Sequence, residues 1–377
     1  MIWKIPLFKS YWEEDDVESV TKVIRRGTYW AAGPEIEQLE RGIADFVGSK
    51  YALSFNSGTS ALHADLLVNN ITKGEVIVPS FTFIATANAV VLAGARPIFA
   101  EIEEQSYGLD PEDVKERITN KTKAIIPVHY GGGPCKEIRA IREIADDHNL
   151  LLIEDAAESL GSKIDDEMVG TFGHSSMFSF CQNKVITAGE GGIIVTDLEE
   201  TYRKLKLICS HGRLETRENY FSTNEELDYI QVGYNFRMSS ISAALVLSQL
   251  KKINKIIKLR REKAKYFNDK LSKIKRIKTP TEPKDYYHVY QMYTIQLEDN
   301  ETREKLQQNL TKAAVMTKVY FEPIHLKTSY REKFNYKEGY LQRTEEVSKK
   351  VLTLPLFPTL SYKEMDYIVD KIKNCCG

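Results

Sequence analysis

The stretch LLLIEDAAESLGS, residues 150–162, decides the fold. Leu150, Leu151, Leu152 and Ile153 form an unbroken apolar run, Glu154 and Asp155 close it, and small residues lead away towards a helical segment. An apolar run without alternation belongs to a strand covered on both faces. Working outward, EVIVP (Glu75–Pro79) and KAIIPV (residues 123–128) have the same character, each following a polar or glycine-containing loop. Between the last two runs, CKEIRAIREIADDHN places Ile138, Ile141, Ile144 and Ala145 on one helical face. From about residue 35 to 194, short β-branched runs alternate with helical periods, which predicts an α/β unit with a mostly parallel sheet between helices. In such sheets ligands gather beyond the carboxyl ends of the strands, so the residues just after each run carry the functional reading.

After Asn235 the texture changes. MSSISAALVLSQLKKINKIIKLRREKAKYFNDKLSKI, residues 238–274, reads as one long helical connector, apolar in its first half and basic in its second. Beyond it come a tyrosine-rich strand over 286–296, a charged helix after Asn300, a strand near 317–321 and a last helix from about Ser361. The predicted division is a large domain over 1–248 and a smaller α+β domain over 249–377, packed together without a flexible linker.

Composition narrows the function classes. The 52 basic and 53 acidic side chains leave a net charge of −1, which argues against a nucleic-acid or membrane-surface partner and for a small molecule. Cys135, Cys181, Cys209, Cys375 and Cys376 show no C-x-x-C spacing, and the seven histidines show no H-x-x-x-H or H-E-x-x-H spacing, so no metal is expected. Reduced thiols, with no apolar leader or membrane-spanning run, point to the cytoplasm.

Three elements carry chemistry. Asp155 ends a buried strand, where a carboxylate either caps the next helix or meets a positive group such as a protonated pyridine nitrogen. Lys184, in MFSFCQNKVITAGEGGIIVTD (residues 177–197), lies between a strand and a glycine-rich turn; desolvation there would favour the neutral amine that attacks an aldehyde. Ser57, Gly58, Thr59 and Ser60 open a helix in SFNSGTSALHADLL, where free N–H groups and the helix dipole favour phosphate, and Ser179 adds a hydroxyl five positions before the lysine. A phosphate cradle, a carboxylate for a ring nitrogen and an aldehyde-binding lysine are the three handles that pyridoxal 5′-phosphate (PLP) requires.

The stretches NSGTSALHADL, VIVPSFTFIATANAV, FSFCQNKVITAGEGGIIVT, GYNFRMSSISAAL and YFEPIHLKTSY resemble the DegT/DnrJ/EryC1/StrS family of sugar aminotransferases, nearly end to end. The resemblance implies the type I (aspartate aminotransferase) PLP fold and a transfer of the amino group of glutamate, with release of 2-oxoglutarate, to a nucleotide-linked keto sugar. It implies that Lys184 bears the cofactor and Asp155 binds its ring nitrogen. Phe83 would stack on the ring, Gly58, Thr59 and Ser179 would hold the phosphate, and Glu158 would face the cofactor's hydroxyl side. Asn235 would reach the phosphate of a neighbouring subunit, making a homodimer the smallest active unit; it is equally a turn residue before the long helix. Trp30 and His325 are candidates for the sugar pocket, or else packing residues, and His129 reads as a structural histidine. AAES, with NKVITAGEGG, looks like the GDP-perosamine synthase branch, which aminates C4 of a GDP-linked 4-keto-6-deoxyhexose for surface glycans. UDP- or dTDP-linked keto sugars are the alternative substrates. A PLP-dependent sugar dehydratase is less consistent, because those relatives replace the lysine with histidine, and a non-catalytic regulator would not need every handle.

Overall fold

The computed structural model describes residues 2–214, 224 and 226–376. Its strands are β1 (Tyr51–Phe55), β2 (Glu75–Pro79), β3 (Arg96–Ala100), β4 (Thr122–Ile125), β5 (Leu151–Asp155), β6 (Lys163–Ile164), β7 (Glu167–Met168), β8 (Ser175–Ser179), β9 (Gly192–Thr196), β10 (Ile277–Lys278), β11 (Tyr286–Tyr287), β12 (Tyr293–Leu297) and β13 (Val351–Leu354). Seven of them form the central sheet in the order β1-β9-β8-β5-β4-β2-β3. The pairs β2/β3, β2/β4, β4/β5 and β5/β8 are parallel, and β9 alone runs against its neighbours β8 and β1.

Successive side chains of a strand point to opposite faces, and both faces of this sheet are covered. In β9, Ile193 and Val195 enter one core with Leu39, Ile43, Ile141 and Val246, while Ile194 enters the other with Leu62, Leu66 and Val90. The helices Pro34–Val47, Ile138–Asp147 and Ser240–Leu250 cover the first face; Gly58–Val68, Ala85–Ala93 and Glu199–Cys209 cover the second. Ile138, Ile141, Ile144 and Ala145 are the buried face of their helix. This is the α/β architecture expected from the apolar runs.

A second sheet, β10-β12-β13, is antiparallel and has its own core. Phe267 and Leu271 of helix Ile253–Leu271, Leu306 and Leu310 of helix Asn300–Lys312, and Ile368 and Ile372 of helix Tyr362–Cys376 pack there, together with Ile5 from the start of the chain. The proposed division between residues 248 and 249 falls in the last turn of helix Ser240–Leu250.

Three expectations are corrected. The connector is two helices, Ser240–Leu250 and Ile253–Leu271, rather than one. The break coincides with Lys252, whose buried ammonium reaches Asp15 and Asp16 near the start of helix Glu14–Arg26, a long-range ion cluster that no local period announces. Residues 286–296 are not one strand, because β11 pairs with β6 while β12 pairs with β10 and β13. Residues 317–321 make only an isolated bridge, Lys318 to Thr353, because the Tyr320 carbonyl accepts the Tyr130 hydroxyl instead of continuing a ladder; β13 takes the third place in that sheet. Among the described residues no helix is long and apolar enough to cross a membrane.

Candidate active site

Asp155 is the last residue of β5, at the carboxyl edge of the parallel strands, and only 4% of its surface is exposed. Its Oδ2 accepts the Thr86 hydroxyl at 2.6 Å and its Oδ1 accepts the Ala157 N–H at 3.2 Å. Burial raises its carboxyl above the ordinary value; these two hydrogen bonds and the nearby Lys184 charge pull the other way. Among the described residues no Lys, Arg or His lies within ion-pair distance of it. A buried acid oriented by two donors, yet without a bonded cation, suits a positive ring nitrogen.

Lys184 stands on the loop between β8 and β9. Its backbone N–H donates to Cys181 O at 2.9 Å, and its ammonium approaches Glu158 Oε1 at 3.4 Å. Glu158 is itself buried, and its Oε2 accepts the Gly131 N–H at 2.8 Å. The lysine is thus partly withdrawn from water, and its charge is felt at Asp155.

The third handle is the start of helix Gly58–Val68. Ser57 is its N-cap, with Oγ accepting the Ser60 N–H at 3.1 Å. The N–H groups of Gly58 and Thr59 precede any carbonyl of their own helix and are open to an anion. A methyl group built on Gly58 would lie 3.3 Å from Ser179 Cβ, so the end of β8 and the helix start are neighbours. Asp65, one turn before the end of this helix, ties it to β8 by accepting the Ser175 hydroxyl at 2.5 Å; burial pushes its carboxyl up to about 6. Gly192 of β9 makes the approach possible, since a Cβ there would sit 2.6 Å from Gly58 N and 2.6 Å from Ser57 C. Gly192→Ala is therefore expected to displace the Ser57–Gly58 turn and weaken cofactor retention about tenfold or more, read by absorbance after gel filtration; parental retention would remove the turn from the site.

The remaining candidates are placed as follows. Phe83 is 60% exposed, with its ring 6.4 Å from that of Phe321, and so offers an uncovered aromatic face. Asn235 is exposed; its backbone bridges Ser210 and its carbonyl accepts Asn56 Nδ2 at 3.3 Å, close to the Ser57 turn. His325 is fully buried, with Nδ1 at 2.8 Å from Ser80 Oγ and Nε2 at 3.0 Å from Glu345 Oε1, so both nitrogens are already engaged and the ring faces protein. Trp30 is half exposed and donates its indole N–H to Val23 O; none of its hydrogen bonds among the described residues reaches the Lys184 cluster. His129 is held in a buried network, with Nε2 at 2.9 Å from Glu154 and Nδ1 accepting the Cys135 N–H. Thr86, Gly131 and Gly192 were not singled out by the sequence reading. Thr86 lies one turn after Thr82, a weak signal, and the two glycines act only through backbone position.

The model of the DegT/DnrJ/EryC1/StrS aminotransferase family matches residues 10–373. The chain belongs to that family. As a member, it is a PLP-dependent sugar aminotransferase. It is 34% identical to the GDP-perosamine synthase of Escherichia coli O157:H7, over 98% of each chain, and 32% identical to the spore coat polysaccharide biosynthesis protein SpsC of Bacillus subtilis, over 96% of this chain and 94% of that one. The structure superposes on Helicobacter pylori PseC, an aminotransferase involved in pseudaminic acid biosynthesis, with a TM-score of 0.91 and 27% identity over 100% of this chain and 99% of that one. The type I PLP fold expected from the resemblance is the fold of these neighbours.

Proposed function

We propose that this aminotransferase moves the amino group of glutamate to C4 of a GDP-linked 4-keto-6-deoxy sugar, for glycan biosynthesis in the cytoplasm. The Lys184 charge felt at Asp155, the Lys184–Glu158 contact, and the packing of Gly58 beside Ser179 on the strand next to Asp155 support that chemistry. Similarity over the full length to a GDP-perosamine synthase favours the nucleotide and the carbon. PLP supplies an aldehyde for the amine and a protonated ring that withdraws electrons.

The chain's own groups do the rest. The Lys184 amine, once free, takes the proton from Cα of the amino donor and later returns one to the sugar carbon. Asp155 holds the positive charge on the ring nitrogen. Ser57, Gly58, Thr59 and Ser179 fix the phosphate, Phe83 covers one ring face, and Glu158 faces the hydroxyl side while steadying the Lys184 ammonium. Trp30 remains a candidate for the sugar pocket, whereas His325, with both ring nitrogens engaged by Ser80 and Glu345, is a packing residue behind the 323–326 segment. Asn235 completes the phosphate site of a second copy. Its neighbours Tyr229, Ile230, Val232 and Tyr234 are exposed, which supports a homodimer with shared sites.

The test is product mass spectrometry with glutamate and a panel of GDP-, UDP- and dTDP-linked 4-keto-6-deoxy sugars. Conversion of the ketone to an amine on the GDP sugar, at least about tenfold faster than on the others, is the expected result. Preference for a UDP or dTDP sugar would overturn the nucleotide assignment while leaving the transfer intact.

A further inference from the structure

A flexible side chain is placed no better than the backbone beneath it, and a loop holds its shape only where its peptide groups find partners. In the segment QNKVIT, residues 182–187, those partners come from three distant parts of the chain. Before Lys184, the Gln182 carbonyl accepts the Ser10 hydroxyl at 3.0 Å, and the Asn183 carbonyl accepts the Gln291 side-chain amide. After it, the Thr187 N–H donates to Gln249 Oε1 at 2.9 Å. The same Gln249 amide reaches back to the 10–11 segment, where its Nε2 donates to Tyr11 O at 3.1 Å.

Burial separates the two glutamines from the serine. Gln249 is 2% exposed and Gln291 5%, whereas Ser10 is exposed. An amide taken out of water is costly unless its polar atoms are used. Gln249 uses both of its ends on main chain. Gln291 uses only its nitrogen: among the described residues its buried Oε1 has no hydrogen-bond partner, so the bond to Asn183 is what offsets its burial. The Gln291 backbone is itself fixed. Val289 N–H donates to Gly132 O at 2.8 Å and Met292 N–H to Gly131 O at 2.9 Å, while the buried Arg260 guanidinium donates to Tyr290 O at 3.2 Å and Leu356 O at 3.1 Å. Gly131 is also the residue whose N–H donates to Glu158. One anchored stretch thus braces the loop before Lys184 and, through Gly131, the carboxylate beside its ammonium.

We propose that Gln249 and Gln291 are positioning residues for Lys184, two buried amides that clamp the main chain on either side of it and so hold its amine within reach of the cofactor aldehyde. This rests on the proposed cofactor-bearing role of Lys184 and deepens it. Each glutamine acts through the peptide group that it holds, Thr187 or Asn183, and not through the amine. Capture of one group by another is fast only while both are held close, and a misplacement of about 1 Å can cost about 10²-fold.

The experiment follows covalent capture rather than turnover. Cofactor-free protein is mixed with saturating PLP; the Lys184 amine adds to the aldehyde carbon, water leaves, and borohydride reduces the new C=N bond to a stable amine that peptide mass spectrometry locates. Gln249→Met and Gln291→Met keep most of the side-chain volume and remove the amide. Gln291→Met leaves only a carbonyl unpaired, and where Gln249→Met does not fold it decides alone. Gln296→Met is the control, because Gln296 of β12 also has a buried, unpartnered Oε1 but, among the described residues, no side-chain hydrogen bond to the loop. Capture at Lys184 should slow about 10- to 100-fold in both clamp variants, and should stay parental in the control even where the melting temperatures fall alike. Parental capture by Gln291→Met overturns the clamp, and so does equal slowing in Gln296→Met, which would mark a general loss of stability. Capture by the parent on a different lysine, or on none, would instead sink the assignment of Lys184, and the clamp with it.

Discussion

Lys184→Ala is expected to abolish turnover, by at least about 10⁴-fold, because in the proposed mechanism one substitution removes both the amine that would bond the cofactor and the group that would move the proton. The variant should still retain PLP, since in the proposed site the phosphate and ring-nitrogen contacts would come from Ser57–Thr59 and Asp155, not from the lysine. The absorbance of the retained cofactor should lie where the free aldehyde absorbs, and adding glutamate should not discharge it on the timescale of the parent. Near-parental turnover by this variant would remove Lys184 from the centre of the site.

Asp155→Asn should lower kcat about 10³-fold, the scale found when one preorganised charge partner of a developing charge is removed. Its effect on stability should have the opposite sign. In the cofactor-free protein, burial raises the Asp155 carboxyl, so the folded chain holds that proton to higher pH than the unfolded chain. Stability must then fall as pH rises from the unfolded value through the folded one, and an asparagine of the same shape escapes that cost. At pH 7 to 8 the apo variant should melt at a higher temperature than the apo parent, and the gap should close towards pH 4. A gap constant with pH would mean that Asp155 is compensated by something other than the cofactor. Activity and stability pulling apart at one residue is the mark of a group kept for function.

Much of this was legible in the chain because burial on both sheet faces leaves a local trace. EVIVP is β2 residue for residue, and the run ending at Asp155 is β5 with one extra residue, Leu150, at its start. Since ligands gather at the carboxyl ends of parallel strands, reading those ends also singled out Asp155, while Ser179 was picked by its spacing from Lys184. What escaped was decided by partners far away in sequence. Thr86 matters because Asp155 lies beside it, 69 positions on, and the helix break at Lys251–Lys252 coincides with contacts to Asp15 and Asp16. Neither of these has a period or a spacing to betray it.

The reversed strand β9 has a mechanical consequence. Because β8 and β9 are antiparallel neighbours, the segment between them leaves and re-enters the sheet side by side, latched by the Cys181–Gly189 bridge and by Ala188 N–H donating to Phe180 O at 2.9 Å. Lys184 is therefore an arm on a stationary post. In the role proposed for it, the lysine would leave the cofactor and return by turning about its own side-chain torsions, while the latched base of the loop stays closed.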